Sequence, residues 1–155
     1  MPTTKCGFDD IAGVQVGCDA LSHHGPTLLV RIGFDPNFDP QAVPTGVPDL
    51  PDHHIHALVD TGAGESCIDS ALAMQLNLPI IDRRMVAGAH GAKEVNVHLA
   101  HIHVPLLAFT IYGPFCAVDL AAGGQAHLAL IGRTFLRNFT MVYEGRTGTV
   151  TIHND

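Results

Sequence analysis

Five of the ten prolines fall in one short stretch, at Pro36, Pro40, Pro44, Pro48 and Pro51. Each lacks a backbone N–H and fixes φ, so neither a helix interior nor a central strand can run through residues 36–52. That Pro-rich loop must be extended and lie on the surface, and it exceeds ordinary connections enough to be a functional or a mobile element. Before it, Thr27-Leu28-Leu29-Val30-Arg31-Ile32-Gly33-Phe34 is β-branched and apolar and is bounded by Pro26 and Asp35-Pro36, which reads as a strand. After it, His56-Ala57-Leu58-Val59 reads as a short buried strand running into Asp60-Thr61-Gly62. With 16 glycines and no tryptophan, the pattern favours many short strands joined by turns, so the expected class is all-β with one or two short helices.

A chain of 155 residues with 46% hydrophobic and 15% charged residues has the size and apolarity of one globular domain. Eight basic against 15 acidic residues leave a formal charge of −7, which argues against nucleic acid and against an anionic membrane surface as partners. No run of about 18 apolar residues and no stretch of signal-peptide type occurs, so a cytoplasmic location without a membrane span is expected. Cys6, Cys18, Cys67 and Cys116 are scattered, without a Cys-x-x-Cys pair, and read as free thiols in a reducing compartment.

Residues 1–25 form an N-terminal arm whose alternation at Ile11, Val14 and Val16 is a candidate edge strand, and residues 26–155 form the domain. Asp69 is placed to cap a short helix carrying Ala71, Leu72, Gln75 and Leu76, which Leu78-Pro79 ends. Residues 84–98 read as a β-hairpin with a glycine tip at Gly88-Ala89-His90-Gly91. His101-Ile102-His103-Val104 reverses the apolar parity, which predicts a bulge or a change of exposure near Ala100. Leu107 to Gly113 is a further strand, and His127-Leu128-Ala129-Leu130-Ile131-Gly132 echoes His56-Ala57-Leu58-Val59, a weak internal duplication. Arg133-Thr134-Phe135-Leu136-Arg137 is a short helical segment, and residues 139–143 and 149–152 form a closing hairpin.

An aspartate at the end of a buried strand sits in a low-dielectric wall, where a neighbouring hydroxyl and backbone N–H groups can orient its carboxylate. Asp-x-Gly is also a common turn composition, so the tripeptide alone fits a turn cap equally well. The wider pattern decides between them. Leu58-Val59-Asp60-Thr61-Gly62-Ala63, the glycine-tipped hairpin and Leu130-Ile131-Gly132-Arg133-Thr134-Phe135-Leu136 occur in this order, and together, over roughly residues 26–152, they resemble the retropepsin-like aspartic proteases in a bacterial-type form.

That resemblance implies a closed β-barrel of the acid protease fold with a flap, and an aspartic endopeptidase acting on an extended peptide or protein substrate. It makes Asp60 the catalytic acid, with Thr61 tying two active-site loops together across a dimer and Gly62 completing the motif. Ile131, Gly132 and Arg133 would support the loop from behind, with Glu65 as the expected partner of Arg133. Retroviral members often carry acids directly after Asp-Thr-Gly-Ala, whereas Gly64 and Glu65 stand here. Aspartic proteolysis needs one ionised and one protonated carboxylate, and the chain has one Asp-Thr-Gly, so a homodimer is expected, with no metal or cofactor. Candidate substrate contacts are Ala63, Val86, Gly88, Ala89, Ile111 and Leu130, although Val86, Ile111 and Leu130 each fit the core as well.

Two other readings stay open: a catalytically silent peptide-binding or dimerisation module on the same fold, and a His-rich metal-binding β protein. The second rests on His53-His54-x-His56 and His98-x-x-His101-x-His103, where His101 and His103 share a strand face. Scattered surface histidines are the expected reading of these clusters, and an exposed turn residue that of His90. No Gly-x-Ser-x-Gly, P-loop or dinucleotide fingerprint is present, and nothing near Cys67 marks it as a nucleophile, so it reads as a buried small side chain.

Overall fold

The structure is a computed structural model describing residues 2–39, 46–88 and 91–154. In chain order it contains β1 (Thr3–Lys5), α1 (Gly17–His24), β2 (Thr27–Gly33), β3 (His54–Val59), β4 (Cys67–Asp69), α2 (Ser70–Gln75) and β5 (Ile80–Gly88). There follow β6 (Gly91–Val104), a 3-10 turn at Pro105–Leu107, β7 (Phe109–Val118), β8 (Ala129–Ile131), α3 (Arg133–Leu136), β9 (Thr140–Glu144) and β10 (Thr149–His153). The molecule is mainly β with short helices, as the turn-rich sequence requires.

The larger sheet runs β2-β3-β8-β4-β7-β6-β5, and β2 pairs β6 as well as β3, so the hydrogen-bonded order returns to its start. Its centre is the apolar interior of Val30, Ile32, Ala57, Val59, Ile68, Ile102, Ile131 and Phe135, each under 5% exposed. The two echoing segments meet there. β3 and β8 lie parallel with Ala57 opposite Ala129, Leu58 opposite Leu130 and Val59 opposite Ile131, so the ends that carry Asp60 and Gly132 emerge side by side. Asp69 caps α2, its Oδ2 accepting the Leu72 N–H at 3.2 Å. β5 and β6 form the expected hairpin, longer than residues 84–98 because pairing continues from Gly88 opposite Gly91 back to Ile80 opposite His98. Ala89 and His90 at its tip lie outside the described residues.

The arm differs from its reading. Ile11, Val14 and Val16 are 49%, 79% and 54% exposed and form no strand, whereas Thr3–Lys5 pairs with β10 in a second sheet, β1-β10-β9. The apolar alternation is too short to bury a face. The helix that follows it, α1, starts where Asp10 Oδ1 accepts the Gly17 N–H at 2.7 Å, a cap supplied from seven residues away.

The parity reversal near Ala100 is a change of exposure, not a bulge. β6 is continuous, and from Val97 to Val104 all its residues are buried except the half-buried Leu99. In consequence His98, His101 and His103, expected at the surface, are interior, and His127 is buried as well. Burial holds the imidazoles of His101, His103 and His127 below their ordinary value of 6.5. The unfolded chain therefore binds protons below about pH 6.5 that the native state refuses, and stability falls with acid by up to about 1.4 kcal/mol per pH unit for each such group. Asp35 and Asp119 add to this lower down. The Asp49 and Asn37 amides, and the Lys93 and Ser70 side chains respectively, depress the two carboxyls, a stabilisation present above about pH 3.8 and lost as pH falls through their native values. Urea midpoints should be level between pH 7 and 8 and decline steadily from about pH 6.5 to 4.5; a level profile across that range would contradict the burial of these imidazoles.

Candidate active site

β3 delivers Asp60 to the edge of the barrel because Val59 is held in the core and the chain turns immediately at Thr61-Gly62. The Asp60 N–H donates to the Ile131 carbonyl at 2.9 Å, which fastens the residue to β8. Its Oδ1 accepts the Gly62 N–H at 2.9 Å, so one carboxylate oxygen is fixed by the following turn and the side chain stays half-buried. Asp60 does cap a turn, and that capping is what orients it.

The loop of residues 60–66 wraps the start of α3. The Arg133 and Thr134 N–H groups donate to the carbonyls of Ala63 and Gly64 at 2.9 and 3.1 Å. The Gly132 N–H donates to the buried Ser66 hydroxyl at 3.1 Å, and Arg133 Nη1 donates to the Thr61 carbonyl at 2.8 Å. A Cβ on Gly132 would lie 2.7 Å from the Glu65 carbonyl oxygen and 2.9 Å from that of Ala63, so only glycine lets the loop and the helix approach this closely. Ile131, Gly132 and Arg133 thus lie against the Asp60 loop. Thr61 is exposed, and among the described residues its hydroxyl makes no hydrogen bond.

Glu65 is the correction. It does not reach Arg133; its Oε2 lies 2.6 Å from Arg84 Nη1 on the β5 arm of the hairpin. The hairpin lies alongside the loop and brings a guanidinium to Glu65, while Arg133 is already taken by the Thr61 carbonyl. On the other arm Lys93 pairs with Asp119 at 2.6 Å, so both arms are tied to the body of the molecule. These pairs are exposed, so solvent screens them and they position the hairpin more than they stabilise it.

Beneath the hairpin Val86 packs with Val95, Val97, Cys67, Cys116 and Val118. A cavity of about 390 Å³ opens there, lined by Val86, Gly88, Gly91, Val95 and Val118 with the Lys93–Asp119 pair at its rim. Val86 and Gly88 are therefore brought together, and Leu130 lies opposite Cys67 across β4 and β8. Ile111 is not part of this group. On β7 it pairs with Ile102 of β6 and packs on the main core, five positions along the strand from Cys116. Val95 and Val97 are legible only as hairpin residues, and Val118 lies beyond the strand expected at 107–113; their convergence depends on how the hairpin folds back over β7.

Cys67 is half-buried and its thiol is pushed up to about 11, chiefly by burial, so it is a protonated packing group at neutral pH. All four cysteines are free. The buried histidines have separate partners: His98 Nδ1 meets the Leu78 carbonyl at 2.9 Å and His103 Nδ1 the Thr110 hydroxyl at 2.9 Å. Among the described residues no three His, Cys, Asp or Glu side chains converge in a metal-holding arrangement. Nor is any described helix long and apolar enough to cross a membrane.

A comparison with curated protein sequences finds none that matches. Among solved structures, a retropepsin-like aspartic protease from Rickettsia conorii superposes with a TM-score of 0.51 at 10% identity, covering 97% of this chain and 90% of that one. EIAV protease complexed with the inhibitor HBY-793 gives 0.47 at 19% identity, with 72% and 85% covered. Simian foamy virus (mac) protease gives 0.46 at 14% identity, with 72% and 91% covered. At 10% identity the likeness to the Rickettsia protein speaks for the fold alone. The family described as "gag-polyprotein putative aspartyl protease" matches residues 49–138, a span that holds the Asp60 loop, the hairpin and Gly132. With more than half its length matched, the chain belongs to this family, the retropepsin-like aspartic proteases.

Proposed function

We propose that the protein is an aspartic endopeptidase whose catalytic dyad forms from the Asp60 residues of two copies of the chain. The observation that carries this reading is a carboxylate pinned through one oxygen by the Gly62 N–H, on a loop locked to β8 and α3, with one such motif per chain. A second copy related by a two-fold axis supplies the second carboxylate, and like charges brought close share one proton. The ionised member takes a proton from water as it attacks, and the protonated member polarises the scissile carbonyl. Thr61, with its exposed hydroxyl, ties the two loops together across the axis. A peptide lies extended between the hairpin and the barrel, with Ala63, Val86, Gly88 and Leu130 at its side chains and main-chain hydrogen bonds along it. The apolar lining at Val86, Val95 and Val118 favours apolar residues beside the cut bond. Ile111 serves the core.

Subunit mixing tests the reading. If the dyad spans two chains, equilibrating wild type with an equal amount of Asp60→Asn leaves about a quarter of the dimers fully wild type, and cleavage falls to about that fraction. A site complete within one chain would retain half. An intact dimer that cleaves no peptide at any concentration would identify a silent module instead.

A further inference from the structure

Outside the Asp60 site, His98 and His101 are the most heavily enclosed polar side chains among the described residues, and of the two only His101 has a ring nitrogen without a partner. It lies on the outer face of β6, 1% exposed, because residues 34–39 leave β2 and fold across it. Three rings surround the imidazole: Tyr112 of β7 stacks at 4.6 Å, Phe34 stacks at 5.7 Å and Phe38 meets it edge-on at 5.3 Å. The Asp35 N–H donates to its Nδ1 at 3.1 Å. An amide N–H can only donate, so Nδ1 must be the unprotonated nitrogen and the ring proton sits on Nε2. Among the described residues Nε2 has no hydrogen-bond partner.

Asp35 is in turn the hub of the covering segment. Its Oδ1 accepts the Asn37 N–H at 2.9 Å and its Oδ2 accepts the Asp49 N–H at 2.8 Å. One backbone hydrogen bond to His101 therefore anchors the residue that binds both ends of the β2–β3 connection. A proton added at Nδ1 turns the acceptor into a donor facing another donor, and the anchor is lost.

We propose that His101 is an acid-operated latch: neutral, it pins residues 34–39 on the root of the hairpin strand β6, and protonated at Nδ1 it releases Asp35 and lets that limb lift. The charged group facing the ring from the limb is the Asp35 carboxylate, whose two oxygens are already engaged by backbone amides. From β7 the neighbour is Tyr112, and from β2 it is Gly33, with Arg31 facing His103 instead. Burial keeps the imidazole neutral against the pull of Asp35, so the latch is closed at neutral pH and opens on acidification. β6 is then gripped from the core side alone, while its other end still carries the hairpin. The latch does not depend on whether the protein cleaves peptides.

Nitrogen-15 NMR of the full chain reads both halves of the proposal. At pH 7 the His101 ring is expected to be protonated at Nε2 and bare at Nδ1. Below about pH 6.5 the exchange protection of the Asp35 amide, corrected for the intrinsic pH dependence of exchange, should fall up to tenfold per pH unit as His101 titrates. His101→Asn places a non-titrating acceptor near the position of Nδ1, and its Asp35 amide should stay protected down to pH 5. The proposal is overturned by a proton on Nδ1 at pH 7, by Asp35 protection that ignores the titration of His101, or by the same loss in His101→Asn. Should that variant fail to fold, the coincidence of the two titrations in the wild-type protein decides by itself.

Discussion

Asp60→Asn is expected to abolish peptide cleavage, lowering the rate by about a thousandfold or more, while the fold and the dimer survive. Asparagine keeps the carbonyl oxygen that accepts the Gly62 N–H, so the loop retains its anchor. What disappears is the titratable oxygen. Neither copy can then take a proton from the attacking water or hold the proton that polarises the carbonyl, and general acid–base catalysis of this kind contributes about 10² to 10⁴ in rate. The measurement is turnover of an extended peptide with apolar residues flanking the scissile bond, paired with circular dichroism and sedimentation of the same sample. Cleavage retained by purified Asp60→Asn would remove Asp60 from the chemistry altogether.

Gly132→Ala should act through structure and reach the site from behind. The glycine has φ −93°, which alanine adopts without strain, so the effect is steric. Its added methyl would collide with the backbone carbonyls of Glu65 and Ala63, which cannot swing aside as a side chain would. Such overpacking costs about 1–3 kcal/mol, or several degrees in Tm for a domain of this size. The loop of residues 60–66 would also be pushed off α3, weakening the Gly132–Ser66 hydrogen bond and displacing the Asp60 carboxylate. Cleavage measured well below the variant's Tm should therefore fall further than the unfolded fraction accounts for. Unchanged stability and activity would mean that loop and helix do not approach as closely as described.

The parts of the site that were legible in the sequence are local ones. A run of apolar residues ending in Asp60-Thr61-Gly62 specifies a strand, a turn and an oriented acid within a few residues, and Asp69 caps α2 through a bond spanning three positions. The hairpin announces itself through its glycine tip. What was misread depends on distant segments. The start of α1 is capped by Asp10 and lacks a side-chain cap from Val16, its own N-cap residue, so the usual sequence signal is missing. β1 finds its partner in β10, at the opposite end of the chain. Glu65 pairs with Arg84 because the hairpin is laid beside the loop, which the spacing of Glu65 and Arg133 gave no means to foresee.

The histidines show the same division. Alternation along His98 to His103 correctly marked a change near Ala100, yet it assigned the imidazoles to the surface, where polar residues of a two-faced strand normally lie. His101 is interior because residues 34–39 fold back over the outer face of β6, whereas His98 is held against the Leu78 carbonyl and His103 against the Thr110 hydroxyl.

By itself the sequence determined the short-stranded β class and the place of Asp60 at the end of a buried strand beside a glycine turn. These follow from backbone geometry and charge within a few residues. Only the tertiary structure decided which side chain Arg84 neutralises, that Ile111 serves the core and Val95 and Val118 the cavity, and that His101 is sealed against an amide. Those outcomes rest on contacts between segments far apart in the chain, whose distances are set by barrel closure and hairpin placement rather than by any local preference.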